Sequence, residues 1–414
     1  MFLYNTGIFL YTCAIYISSL FKPKAKLWVN GRKQWREQLI SRLEKLPNKK
    51  RVWIHCASLG EFEQGRPVIE ALKKQSPDTL IILTFFSPSG FEIRKDYEYA
   101  DLVCYLPPDF KKNAVDFIES CNPNTVIFVK YEFWLNYLFT LHQKKIPTYL
   151  ISAVIKKHQP FFKWYGNVFL KALKTYKNIF VQDKESLDLL EELGVNSGIL
   201  SGDTRVDRVL QGAKHASEIE KLKSFCGADL CLIAGSTWEK DDQILIDSYL
   251  HLRTSFPNLK LIIAPHETDE TSIQSLLNKL QSKLISYTLY LNQIDNSAQV
   301  LVINTIGVLA SAYKYGHVAF IGGGFNNGIH NILEPAAHKL PVIFGPNHHK
   351  FNEAKDFITS KAGFEIRNSD ELSQILKQLL SDTAFKENSS NAAYNYLEKN
   401  SGATLKILDK VLSL

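Results

Sequence analysis

With 414 residues, 45% of them apolar and 22% charged, the chain has core-forming material for two domains of ordinary size, which excludes a disordered or fibrous polypeptide. A formal net charge of +7 suits an anionic substrate or an anionic membrane surface and is too small to argue for nucleic acid. The six cysteines are scattered without a Cys-x-x-Cys pair, which speaks against a disulfide framework or a zinc site and for reduced thiols in a cytosolic compartment.

The chain opens with "MFLYNTGIFLYTCAIYISSLF", which holds no charged side chain before Lys22, and "KPKAKLWVNGRK" follows at once. Roughly 20 apolar residues just span a bilayer core as a helix. No basic residue precedes the stretch and no small-residue cleavage site follows it, so residues 1–21 are expected to remain as a membrane anchor. The basic flank predicts that the rest of the chain stays cytoplasmic. Asn5 and Thr6 weaken the span, and an interfacial helix or a buried core helix competes with it. "NGRKQW", just beyond, offers cations to lipid phosphates, with a purely electrostatic membrane contact as the plainer alternative.

From about residue 50, short β-rich runs alternate with helical patterns. "RVWIHCAS", "TLIILTFFS", "TVIFVKYEF", "IPTYLISAV" and "NIFVQD" form one series of strands. A polar helical stretch follows "SGDTRVDRVLQG", and then "LCLIAGST", "LKLIIAPHE", "QVLVINTIG", "HVAFIGGG" and "LPVIFGP" form another. Unbroken apolar runs between helices predict parallel strands covered on both faces. The chain is thus expected to be α/β, with two doubly wound, Rossmann-like domains over residues 22–210 and 211–395. Ligands would bind at the carboxyl ends of the strands, in the cleft between the domains. The amphipathic helical tail, residues 396–414, is expected to pack back on the first domain.

The loops after these strands carry the candidate chemistry. In "HCASLGEFEQGRP" the strand closes at Ser58, Gly60 permits a tight turn, and Glu61 stands at the mouth of the next helix, placed to take a proton from a bound hydroxyl. A helix-capping carboxylate fits the same position, and Glu63 reads as solvated. "KYEFWLN" puts Lys130 and Glu132 on the cleft wall. "SGDTRVDRV" supplies Arg205, a fixed cation for a phosphate or carboxylate, or equally one half of an interdomain ion pair. "AGSTWEKDDQ" offers the hydroxyls of Ser236 and Thr237, and "APHETDE" offers His266. His348 and His349 are adjacent and point apart with no third ligand in view, so no metal is expected.

"GGGFNNGIHNILEPAAHK" is the densest of these segments. Gly323 and its neighbours would let backbone N–H groups approach a ligand. His330 follows, with Asn331 near the cap of a helix whose N-terminus would meet a phosphate. Glu334, one turn on, suits a ribose, and Pro335 is tolerated in a first turn. The spacing is neither G-x-G-x-x-G nor a P-loop. A glycine-rich turn with an ordinary N-cap is the alternative.

Taken together and in order, "LWVNGRKQWREQL", "HCASLGE", "TFFSPSG", "YLPPD", "YEFWLN", "SGDTRVDRV", "AGSTWE", "NTIGVLASAY", "GGGFNNGIHNILEPAA" and "PVIFGP" resemble the Kdo (3-deoxy-D-manno-octulosonic acid) transferases of lipopolysaccharide synthesis over most of the chain. The resemblance implies a GT-B fold and inverting transfer of Kdo from CMP-Kdo to the lipid A precursor, lipid IVA, at the cytoplasmic face of the cell inner membrane, without cofactor or metal. It implies Glu61 as general base and Arg205 as the basic residue that stabilises the transition state. CMP would be gripped by Asn331, Ile332, Leu333 and Glu334, and by backbone at Pro265, His266, Ile306, Gly307 and Val308. Three segments depart from the family pattern. Lys130-Tyr131-Glu132 replaces the usual Glu-Thr-Glu, "NTIGV" replaces "DTIGE" so that Asn304 and Val308 lack carboxylates, and Pro265 stands where an arginine often precedes the histidine. The rivals are another GT-B enzyme, a UDP-sugar transferase or epimerase, and a membrane-tethered nucleotide-binding protein without catalysis.

Overall fold

The computed structural model describes residues 1–349 and 351–412. The chain divides into two compact units, Met1–Asp207 together with the C-terminal residues from Ser401, and Arg208–Asn400.

The first unit is built on a seven-stranded parallel sheet of β1 (Arg51–Cys56), β2 (Leu80–Phe85), β3 (Leu102–Tyr105), β4 (Thr125–Val129), β5 (Thr148–Ala153), β6 (Asn178–Val181) and β7 (Gly198–Leu200), in the order β3-β2-β1-β4-β5-β6-β7. Strands β2, β4 and β5 are buried at every residue because helices cover both faces, which is why their sequences run apolar instead of alternating. Trp53, Phe117, Phe128 and Tyr137 fill the core on one face, and Phe62, Phe85, Tyr149 and Phe180 that on the other. The strand order reverses between β1 and β4, the position where an open α/β sheet parts its loops to admit a ligand.

The second core of this unit is completed by the end of the chain. Helix Ala403–Leu412 buries Ile407, Leu408 and Val411 in it. Asp207 accepts hydrogen bonds from the backbone N–H groups of Gly402 and Thr404, each at 2.6 Å, and so caps that helix. The expected boundary at residue 396 shifts accordingly. Helix Thr383–Lys399 stays with the second unit, where Ala393 and Leu397 are buried and Tyr396 packs edge-on against Phe357. Ser413 and Leu414 lie outside the described residues.

The second unit repeats the plan with β8 (Leu230–Thr237), β9 (Leu259–Pro265), β10 (Tyr287–Leu289), β11 (Val300–Val302), β12 (Val318–Ile321), β13 (Val342–Phe344) and β14 (Gly363–Glu365), in the order β10-β11-β9-β8-β12-β13-β14. Its reversal falls between β8 and β12, so the loops after those strands flank the ligand-admitting position.

The N-terminal segment forms helix Phe2–Ser18, and among the described residues no helix is long and apolar enough to cross a membrane. At about 1.5 Å per residue the 17-residue helix spans roughly 25 Å, short of the hydrocarbon core. Its polar residues are used for docking: the Tyr4 hydroxyl donates to Asp109 at 2.5 Å, and Asn136 donates to Asn5 at 3.0 Å. Tyr11 stacks on Phe86. The other side leaves Phe2, Leu3, Phe9, Leu10, Ile17, Leu20 and Phe21 exposed. Within the anchor segment expected over residues 1–21, residues 2–18 thus form a docked helix with an open apolar face. Arg32 of "NGRKQW" is likewise not available to lipid phosphates. It is buried, with its guanidinium donating to the carbonyls of Trp28, Phe86 and Leu106 and burial holding its pKa down to about 9.

Candidate active site

At the reversal of the first sheet, Ser58 ends the loop after β1 and caps helix Leu59–Gln75, accepting from Gly60 N–H. Gly60, expected to permit a tight turn, is the second residue of that helix. Glu61 sits in the first turn, where a carboxylate complements the helix dipole, and accepts a hydrogen bond from the Ser58 hydroxyl. The cap of this helix is Ser58 and not Glu61, whose side chain is half-buried at the strand end. Glu63 is not solvated but pairs with Arg94 at 2.9 Å.

Tyr131, from the loop after β4, lies close to Glu61. Burial raises the Tyr131 phenol, the Glu61 carboxylate adds to the rise, and Arg205 pulls it back. Lys130 closes β4 in the left-handed region, at φ 73°, with its ammonium 5.2 Å from the Tyr131 ring centroid. A lysine held there is strained, as residues around functional sites often are. Arg205 is braced within its own unit: Asp203 accepts from its Nε at 2.8 Å and from its backbone N–H at 2.9 Å. Glu132 does not line a site. It is 4% exposed, accepts from the Trp134 indole, and lies 3.4 Å from His55 Nε2. Its carbonyl takes the Tyr176 hydroxyl at 2.5 Å, so it serves the interior.

In the second unit the loops after β8, β9, β11 and β12 converge at the carboxyl end of the sheet. Ser236 adopts φ 55° and Thr237 is buried. Pro265 ends β9, and the exposed His266 donates its backbone N–H to the Thr237 carbonyl at 2.9 Å. Ile306 and Gly307 are exposed after β11, with Gly307 at φ 93°, and Val308 caps the next helical turn.

The glycine run serves packing instead of opening its N–H groups to a ligand. A Cβ on Gly322 would lie 2.3 Å from the Ser236 carbonyl oxygen, and one on Gly324 2.5 Å from the Gly345 nitrogen. Only glycine lets these loops touch. The N–H groups of Gly322 and Gly323 are spent on the Gly235 carbonyl and the Asp241 carboxylate. The helix after it is short, Leu333–Ala337. The Asn331 side chain accepts from Leu333 N–H at 3.0 Å, while Ile332 and Leu333 are buried and offer a ligand their backbone alone. Glu334 lines a cavity of about 280 Å³ with Ser311 and His338, 3.6 Å from Arg208. His348 is held by Glu365 at 2.8 Å.

Two residues outside the expected set organise this end of the sheet. Trp238 donates its indole N–H to His330 Nε2 at 3.0 Å and stacks on His266 at 4.6 Å. Asp241 accepts from the backbone N–H of Trp238 at 2.9 Å and from that of Gly323 at 2.8 Å, tying the loop after β8 to the loop after β12. Burial and the neighbouring His266 hold His330 down to about 4.

Residues 33–208 match the family described as 3-deoxy-D-manno-octulosonic-acid transferase (kdotransferase). Over 366 residues the chain is 30% identical to the 3-deoxy-D-manno-octulosonic acid transferase of Aquifex aeolicus, covering 86% of this chain and 94% of that protein. The chain belongs to the Kdo transferase family. The Haemophilus influenzae 3-deoxy-D-manno-octulosonic acid transferase is 28% identical over 88% of this chain and 87% of its own length. The solved UDP-GlcNAc 2-epimerase of Neisseria meningitidis bound to UDP-GlcNAc aligns with a TM-score of 0.64 at 15% identity, over 88% of this chain and 100% of that one, a likeness of fold. The chain is thus a Kdo transferase-family glycosyltransferase with two Rossmann-like, GT-B-type units.

The residues that depart from the resembled pattern sit in defined local surroundings. Asn304 accepts from Leu291 N–H at 3.1 Å, so its side chain holds the loop after β11 in place. Val308 acts as a cap through its backbone. Lys130 puts a cation where the family pattern has a carboxylate, while the third residue of that motif, Glu132, is taken by His55 and Trp134.

Proposed function

We propose that this glycosyltransferase moves Kdo from CMP-Kdo to a hydroxyl of the lipid A precursor, with inversion and with Glu61 as general base. The observation that carries the reading is the placement of Glu61: within the family-matched segment, in the first turn of the helix after β1, at the reversal of the first sheet. In the reaction the acceptor oxygen attacks the anomeric carbon of Kdo while the bond from that carbon to the phosphate oxygen of CMP breaks. Glu61 takes the hydroxyl proton and CMP leaves as the anion. Arg205, oriented by Asp203, supplies positive charge near Tyr131, and in the second unit the loops after β9, β11 and β12 hold the nucleotide sugar. The acceptor is a lipid at the cytoplasmic face of the inner membrane. The open apolar face of helix Phe2–Ser18 and the exposed Lys22, Lys24 and Lys26 support an interfacial contact there.

The test is a transfer assay with CMP-Kdo and the lipid A precursor, with EDTA present, comparing wild type and Glu61→Gln. Glu61→Gln is expected to lower turnover by about a hundred- to ten-thousand-fold while CMP binding is kept, the range of a lost general base. Full activity in the variant would refute the assignment of the base. No product from wild type would refute the substrate pair.

A further inference from the structure

We propose that Trp238 is a positioning residue for the nucleotide-sugar half of the reaction: its indole N–H fixes His330 as a neutral imidazole protonated at Nδ1, so that the ligand meets an N–H donor and not a cation. The inference rests on reading the Asn331–Glu334 segment as the donor site.

An indole nitrogen donates and never accepts. The 3.0 Å contact from Trp238 Nε1 to His330 Nε2 therefore requires a lone pair on Nε2, which leaves the single ring proton on Nδ1. Three features hold this arrangement. The rings of Trp238, His266 and His330 are nearly parallel, with Trp238–His266 centroids at 4.6 Å and His266–His330 centroids at 4.4 Å. One oxygen of Asp241 accepts from the backbone N–H of both Trp238 and Gly323, so the segments carrying the indole and the imidazole are fixed to the same atom. The charged and titratable groups packed here are His266 from the loop after β9, whose charge opposes a second one, and the Asp241 carboxylate, which is turned to those backbone N–H groups.

A neutral donor has a use in this chemistry. A CMP-sugar carries one negative charge on its phosphodiester, whereas released CMP is a monoester that gains a second charge with a pKa near 6. A cation at the head of the segment would bind the product more tightly than the substrate and slow its release, while an N–H dipole grips both with less bias.

The experiment uses full-length protein with isotopically labelled histidine, the His330 signals being assigned with His330→Gln. In wild type without nucleotide, His330 is expected to show the Nδ1–H tautomer and to stay neutral from pH 8 to pH 5. In Trp238→Phe, which keeps an aromatic ring and removes the donor, the tautomer is expected to become mixed and the pKa to rise by about one unit. Calorimetric CMP affinity of the variant relative to wild type should then tighten about three- to tenfold between pH 7.5 and pH 5, with kcat falling more than KM. A wild-type His330 that carries its proton on Nε2, or titrates near 6.5, overturns the inference and leaves the CMP site standing. Unchanged tautomer and unchanged affinity ratio in Trp238→Phe overturn it as well. The ring titration needs no nucleotide, so an Nδ1–H His330 in a protein that binds no CMP refutes the donor-site reading and the purpose assigned to Trp238 with it. If Trp238→Phe fails to fold, the wild-type tautomer still decides.

Discussion

Asp241→Ala removes a carboxylate that holds two loops of the second unit. Its Oδ2 accepts from Trp238 N–H at 2.9 Å and Gly323 N–H at 2.8 Å, and the residue is fully buried. Hydrogen bonds to a charged acceptor contribute about 1.5–3 kcal/mol each, and the two N–H groups would be left buried without partners. Against this stands the burial of the carboxylate, which pushes its pKa up while the two N–H groups pull it back. A net loss of about 2–4 kcal/mol is expected, which for a unit of this size lowers Tm by roughly 5–15 °C. The His330 segment is released at the same time, so CMP affinity should fall at least about tenfold, equivalent to about 1.4 kcal/mol. Asp241→Asn should lie between, because its amide oxygen still accepts while its NH2 replaces Oδ1, an atom buried without a partner. Thermal unfolding and calorimetric titration with CMP read the two effects separately. An Asp241→Ala protein within about 1 °C of wild type and with unchanged CMP affinity would refute the role given to this carboxylate.

Asp242 is buried beside Asp241 with its Oδ1 unpartnered, and burial pushes it up to about 6 from 3.8. A raised carboxyl pKa adds stability that is complete below pH 3.8 and is lost as pH rises through about 6, at a cost of about 3 kcal/mol. Asp242→Asn should therefore unfold at higher temperature than wild type at pH 7.5, and the gain should vanish near pH 4. A gain independent of pH would count against the linkage. Tyr4→Phe deletes the hydrogen bond from the N-terminal helix to Asp109. The helix should detach more often by about 1.5–3 kcal/mol, seen as faster hydrogen exchange in residues 2–18 and faster tryptic cutting after Lys24. Unchanged exchange would mean that the aromatic contacts hold the helix alone.

The parallel sheets were legible because strands covered on both faces must be apolar throughout, and "TLIILTFFS" or "LKLIIAPHE" are too short and too β-branched for a buried helix. The place of Glu61 was legible for the same reason, since a strand end followed by a capped helix fixes where the first turn lies. What escaped the sequence is whatever depends on a partner distant along the chain. Glu132 reads as an available carboxylate until His55, Trp134 and Tyr176 close on it. The glycines of "FIGGG" read as a ligand cradle until Ser236 and Gly345 are found against them. Trp238 and His330 lie 92 residues apart, and no spacing rule links an indole to an imidazole over that distance. A signal for Asp241 did exist, because an aspartate three residues after a strand-closing loop is where a helix collects backbone N–H groups. In the N-terminal stretch the apolar content met the length rule, but Asn5, read as weakening a span, is a contact residue, as is Tyr4.

The capping of Ala403–Leu412 by Asp207 bears on the order in which a ribosome releases this protein. Domains usually fold as they emerge, the N-terminal one first. Here the residues that complete the first core, Ile407, Leu408 and Val411, are made after the whole of Arg208–Asn400. The nascent first unit therefore waits with an apolar groove open beside helix Leu59–Gln75 while its successor is synthesised and folds. A stop codon before Ala403 would leave the later domain intact and strip the earlier one of its lining, so such a truncation acts on the half that carries Glu61.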